Sequence, residues 1–195
     1  MNKPAFGHPD AYMGKAVSRY PQFFNELAVD LPKGMDVLDM FGGVGLLARD
    51  MWDTLQPLTW TCLEADVSLK DKAVEPRVKF LHGDAFTTLL RADLYIIDPD
   101  RCTLNQIWKE QKWATLLNRL SDTGKHILMQ EYGAYWCHLP NQIPLYEKLS
   151  GGDRVTRQTY PYLFSRKMKQ WFGLDVTKMA QGMGSTYYLM RGPQV

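Results

Sequence analysis

The chain has 195 residues, 45% of them hydrophobic and 23% charged, with a formal net charge of +2 at neutral pH. That length suits one well-packed core, so a single domain over residues 1–195 is expected, with residues 1–34 as an N-terminal helical segment packing on it. No run approaches the roughly 18 apolar residues of a membrane span, no apolar signal core is present, and the net charge is too small to announce a polyanionic partner by itself.

These exclusions predict a soluble, cytoplasmic protein with no membrane partner. Its three cysteines, Cys62, Cys102 and Cys137, are odd in number and lack C-x-x-C or zinc-type spacing, so reduced thiols and no metal site are expected.

Lys15 to Val29 spaces Val17, Tyr20, Phe23, Phe24, Leu27 and Ala28 mostly three and four residues apart, which predicts an amphipathic helix with Pro21 near its start or at a break. The turn Leu31-Pro32-Lys33-Gly34 ends it. Met35 to Met40 then reads as a short apolar strand, followed by a glycine-rich turn and a helix from Leu46 to about Thr54. Further strands are expected at Thr59–Glu64, Val78–His82, Leu94–Asp98 and His126–Gln130, and every strand before His126–Gln130 has helix-compatible sequence after it. The longest such segment, Thr103–Leu120, has Thr103 as a plausible N-cap and Gly124 closing the following turn.

Beyond that the pattern weakens. Leu145–Leu149 reads as helical, Val155–Phe164 and Trp171–Val176 as strands, and Gly184–Arg191 as a final strand. Buried strands alternating with helices imply a largely parallel α/β sheet covered on both faces.

The turn Asp39-Met40-Phe41-Gly42-Gly43-Val44-Gly45 sits at a strand-to-helix junction, where glycines let a backbone approach a ligand. Glu64 ends the next strand about twenty residues on, the placement that accepts a ribose diol. Asp84 ends the third strand in His82-Gly83-Asp84-Ala85-Phe86, and Asp98 the fourth in Ile96-Ile97-Asp98-Pro99-Asp100. In an open parallel sheet these carboxyl ends line one edge, where ligands bind.

On these residues the chain resembles the Rossmann-like S-adenosylmethionine (SAM) methyltransferases from Asp36 to Arg191. VLDMFGGVG is similar to the family's first motif, in the D-x-F-x-G-x-G style of enzymes that methylate nucleic acids; LEAD, HGDAF and IIDPD are similar to the second, third and fourth. The resemblance implies a Rossmann-like doubly wound, seven-stranded, mainly parallel sheet with an antiparallel last strand. It implies SAM as cofactor, with Asp39 under the glycine loop and Phe41, Gly42, Gly43 and Gly45 at the methionine part. Glu64, with Ala65 beside it, would hold the ribose; Asp84 and Ala85 would meet the adenine; Asp98 would border both cofactor and acceptor. A nicotinamide dehydrogenase is disfavoured because Ala48 stands where G-x-G-x-x-G has its third glycine, although alanine can occupy that place.

At the acceptor end, Asp98-Pro99-Asp100-Arg101 is nearer to the D-P-P-R loop of several RNA methyltransferase groups than to the Asn/Asp-Pro-Pro-aromatic loop of exocyclic-amine methylation, with Asp100 in place of the second proline. Asp98 is read as a hydrogen-bond acceptor for the nucleophile or as a general base. Asp100 is an alternative base and Arg101 a phosphate or base-plane contact, against the simpler reading of an exposed ion pair. Cys102 invites a pyrimidine-carbon nucleophile, but a packed thiol is the favoured reading.

His8 and Tyr12 are candidates to fold over the site, and Glu131, Tyr132, Tyr135 and Trp136 follow the fifth strand. Residues Gly151–Lys178 interleave six basic residues with aromatics, which reads either as a nucleic-acid surface or as core aromatics with solvated charges. The expectation is methyl transfer to a nucleic-acid base, RNA ahead of DNA, with a possible protein partner for substrate recognition. The rivals are a small-molecule or protein acceptor and a non-catalytic protein that keeps the fold.

Overall fold

In the computed structural model, residues 20–99, 102–182 and 185–193 are described. The chain divides into two compact units, residues 1–100 and 101–195. His8, Tyr12 and Val17 lie outside the described residues.

In the first unit, helix α1 (Tyr20–Ala28) buries Phe24, Leu27 and Ala28, the face that the three- and four-residue spacing predicts. It packs on α2 (Leu46–Leu55), which buries Leu46, Ala48, Met51 and Leu55. The strands are β1 (Asp36–Asp39), β2 (Thr59–Glu64), β3 (Lys79–His82) and β4 (Leu94–Ile97). All are paired in parallel, with Asp39 opposite both Cys62 and Ile96, and Glu64 opposite His82. Every residue of β4 is buried, as expected for a strand covered on both faces.

Two connections differ from expectation. After β2 the chain makes a 3-10 helix, Val67–Lys72, with Asp66 accepting the Ser68 N–H at its start. Between β3 and β4 there is no helix: Asp84 draws Phe86, Thr87 and Thr88 into a tight turn through its side chain and carbonyl, and the chain runs on irregularly.

In the second unit, the expected Thr103–Leu120 helix is broken. Thr103 does cap it, through reciprocal bonds with Gln106, the capping box that satisfies two otherwise orphaned donors. Glu110 is extended, however (φ −104°, ψ 108°), which separates α3 (Leu104–Lys109) from α4 (Gln111–Asp122). β5 (His126–Glu131), α5 (Gly133–Trp136) and α6 (Ile143–Ser150) follow.

The largest correction concerns Val155–Phe164 and Trp171–Val176, read above as strands. Tyr160 to Phe172 is a helix, α7, opened by Pro161 in its first turn and closed by Gly173 at φ 68°. Its buried side chains, Tyr160, Leu163, Phe164, Met168 and Phe172, follow helical spacing. Only then do β6 (Asp175–Gln181) and β7 (Thr186–Arg191) form an antiparallel pair, with β7 also antiparallel to β5. Phe164 stacks on Tyr188 of β7 with ring centroids 4.2 Å apart.

The seven strands have the order β3-β2-β1-β4-β5-β7-β6. This is the doubly wound sheet with an antiparallel late strand that the motifs implied. No helix among the described residues is long and apolar enough to cross a membrane.

Candidate functional site

The glycine turn is built by β1 ending in a buried acid and by a chain that must then reverse into α2. Gly42 sits so close to β2 that a Cβ there would lie 2.5 Å from Cys62 Cβ, and its N–H reaches the Leu63 carbonyl at 3.4 Å. Gly45 donates to the Gly42 carbonyl at 2.9 Å and takes φ 80° as the residue before α2, which no side chain caps. Gly43, at φ 51°, has open space on its Cβ side. The turn is thus packed hard on one flank and open on the other.

Glu64 closes the arrangement. Its Oε2 accepts from the Gly43 N–H at 3.1 Å and its Oε1 from the Asp66 N–H at 2.9 Å. Each carboxylate oxygen has two lone pairs, so each retains acceptor capacity for a hydroxyl. His82 Nε2 lies 3.1 Å from the Ala65 carbonyl, linking the ends of β2 and β3. Asp84 Oδ1 accepts from the Phe86 N–H at 2.9 Å, Ala85 is buried, and the Phe86 ring meets Phe41 edge to face at 5.7 Å. Phe86 falls within the HGDAF motif, but the motif alone gave it no role beside Phe41.

Asp39 lies fully buried below the turn. Its carboxyl is pushed up to about 7, chiefly by desolvation, against the opposing pull of the Phe41 backbone N–H and the Trp60 side chain. The Cys62 thiol faces its Oδ2 at 3.9 Å, and burial pushes that thiol well up as well. Behind the turn, buried Glu75 accepts two guanidinium bonds from Arg77, at 2.6 and 2.9 Å, which lower its carboxyl to about 2. Arg77 also stands 4.1 Å over the Trp52 ring. This lock, together with the Val74 N–H on the Val44 carbonyl, braces the turn; it was not foreseen, because no motif marks it.

The first unit thus brings together Asp39, Phe41, Gly42, Gly43, Gly45 and Glu64, while Ala65, Asp84 and Ala85 stand at the ends of the adjoining strands. Asp98 directly follows β4 and is half-buried. Asp100 and Arg101 lie outside the described residues. In the second unit, Cys102 is wholly buried, its thiol raised well above the ordinary value by desolvation first and then by the Glu131 and Glu110 charges. A buried, protonated thiol fits packing and not nucleophilic attack. Glu131 is buried inside a hydrogen-bond cluster, whereas Tyr135 and Trp136 are exposed.

The sequence matches no protein-family model and no curated protein. In fold it is similar to a protein of Pyrococcus horikoshii assigned as an RNA methyltransferase, with a TM-score of 0.55 and 16% identity, covering 87% of this chain and 81% of that one. A protein of Escherichia coli assigned as a methyltransferase gives 0.56 and 12%, covering 93% and 90%. Human N-acetylserotonin methyltransferase, solved with SAM, gives 0.55 and 21%, covering 99% of this chain and 61% of that one. At these identities the shared property is architecture: the chain has the seven-stranded, Rossmann-like fold of the methyltransferases.

Proposed function

We propose that this chain is a single-domain SAM-dependent methyltransferase acting on a nucleic-acid base, RNA ahead of DNA. The observation that carries the cofactor reading is the hydrogen bond from the Gly43 N–H to Glu64 Oε2. It couples an open glycine turn to a strand-end carboxylate within a methyltransferase fold.

SAM fits the residues present. The open flank of Gly43 admits a ligand against the backbone, Glu64 keeps acceptor capacity for a ribose diol, and the Phe41–Phe86 pair offers an apolar wall. Asp84 and Ala85 would border the adenine. When bound, SAM supplies an electrophilic methyl group on a sulfonium centre. Asp98 would hold the acceptor by accepting its hydrogen bond or taking its proton, with Asp100 as the alternative base. Arg101 would grip a phosphate or a base plane. Positioning supplies most of the rate in such a displacement. The nucleic-acid part of the reading is supported by Gly151–Lys178, where Tyr162 is 68% exposed and α7 presents Arg166 and Lys169 outward.

The test is calorimetric titration of the protein with SAM and its demethylated product, then transfer of labelled methyl to RNA and DNA pools. The expected result is micromolar binding, weakened about tenfold or more in Glu64→Ala, as for loss of a charged hydrogen bond, and label in RNA. Failure of the folded wild type to bind would sink the cofactor reading, and label only in small molecules would sink the acceptor reading.

A further inference from the structure

Beside the end of β6, the second unit holds a cavity of about 190 Å³ whose lining includes Tyr135, Arg157, Gln158, Gln181, Ser185 and Thr186. The backbone of its walls is tied down by hydrogen bonds, while Arg157 and Gln158 present exposed side chains. Arg157 and Gln158 lie inside a Thr156–Thr159 turn closed by two reciprocal bonds, Thr156 N–H to Thr159 Oγ1 at 2.8 Å and Thr159 N–H to Thr156 Oγ1 at 3.2 Å. Gln181 Nε2 donates to the Arg157 carbonyl at 3.4 Å, tying β6 to that turn. Buried Gln130 donates to Ser185 Oγ at 3.0 Å, and Ser185 donates onward to the Tyr187 hydroxyl at 3.1 Å. Ser185 is therefore left with an acceptor lone pair.

The chemistry of the lining is selective. Among the described lining residues there is no Asp or Glu, and Arg157 carries their one formal charge. The Arg157 guanidinium lies 5.2 Å from the Tyr135 ring centroid, so its outer face is a second planar surface and its N–H groups form a phosphate fork. Two glutamine amides offer donor and acceptor together, the pattern that pairs with a base edge. The volume lies below the roughly 300 Å³ at which drug-sized pockets begin, so the cavity suits one heterocycle.

We propose that this cavity binds one nucleobase with its phosphate. The base stacks on the Arg157–Tyr135 pair, Gln158 and Gln181 read its edge, and the guanidinium holds the phosphate. The choice of a nucleotide as occupant deepens, and rests on, the reading of the chain as a nucleic-acid methyltransferase.

The experiment measures binding of the four ribonucleoside monophosphates and of a short single-stranded oligoribonucleotide to the full chain, by ligand-observed NMR and calorimetry, with SAM affinity followed in parallel. The variants are Arg157→Ala, Tyr135→Ala and Tyr135→Phe. The expected result is nucleotide binding that falls roughly tenfold in Arg157→Ala and Tyr135→Ala, the scale of one lost stacking contact. Tyr135→Phe should retain it, with SAM affinity unchanged throughout. Oligonucleotide affinity falling in step identifies a nucleic-acid strand as the source, and binding of monophosphates alone identifies a free nucleotide; either supports the site. No nucleotide binding, or equal affinity in wild type and Arg157→Ala, overturns it even if SAM still binds. Loss of SAM binding in the wild type with nucleotide binding intact would instead strike the proposed function.

Discussion

Tyr160 of α7 donates its hydroxyl to Glu131 Oε1 at 2.5 Å, with both side chains fully buried. The same oxygen accepts the Gly133 N–H at 2.8 Å and the Leu104 N–H at 3.0 Å, so one carboxyl ties together the ends of β5, α3, α5 and α7. Desolvation still outweighs these bonds and pushes Glu131 up to about 8.

A group whose folded value exceeds its unfolded value, here near 4.5, binds more protons when folded. Its contribution is then fully present below the unfolded value and is lost as pH rises through the folded one. Urea unfolding between pH 5 and 9 should show stability falling steadily as pH rises toward the folded value of Glu131, with part of the slope from Asp39, which is shifted in the same direction. Glu131→Gln keeps an acceptor for Tyr160 and should flatten the slope. An unchanged slope would mean that Glu131 is already ionised in the fold.

Thr103 opens α3 with a reciprocal capping box. Thr103→Ala should cost about 1 kcal/mol, a drop in Tm of roughly 2 to 4 °C for a chain of this size. Thr103→Ser should recover most of it. Differential scanning calorimetry on the three proteins decides, and equal Tm values would show that the box adds nothing.

What could be read in advance follows a physical division. The β2 range Thr59–Glu64 and the glycine turn are local: alternation, strand-end acids and glycines carry them, and the structure reproduces both. Val155–Phe164 was misread, and Trp171–Val176 holds strand only at Asp175 and Val176, because Tyr160, Tyr162 and Phe164 have strand-like propensity, which outweighed two better signals. These were Pro161 in the first turn of a helix and the Tyr160-Leu163-Phe164-Met168-Phe172 spacing. The break at Glu110 has neither Pro nor Gly to announce it. Local reading placed Glu131 at the end of the fifth strand but could not foresee its burial, and Glu75 it did not mark at all, because what sets their chemistry is burial by residues distant in sequence.

All three cysteines are buried, and burial pushes each thiol upward. Thiolate, not thiol, reacts with disulfide reagents. The native protein should therefore label far more slowly than the urea-unfolded protein, and Cys102→Ala should leave methyl transfer intact. Rapid labelling of Cys102 in the folded protein, or loss of activity in that variant with Tm preserved, would return Cys102 to the list of nucleophiles.

Gly42 and Gly43 are adjacent, yet their surroundings differ. A methyl group at Gly42 meets Cys62 Cβ at 2.5 Å and must push β2 aside, an overpacking cost of about 1 to 3 kcal/mol. At Gly43 the space is open, and the cost is the left-handed backbone at φ 51°, about 1 to 2 kcal/mol. Gly42→Ala should thus lower Tm as much as Gly43→Ala or more. Gly43→Ala should fold and yet bind SAM more weakly than its small loss of stability explains, because its new methyl group projects into the flank proposed for the cofactor. Thermal melts with and without SAM separate the two effects. If SAM raises the Tm of Gly43→Ala as much as that of the wild type, the open flank is not where the cofactor lies, and the site must be sought elsewhere on the sheet.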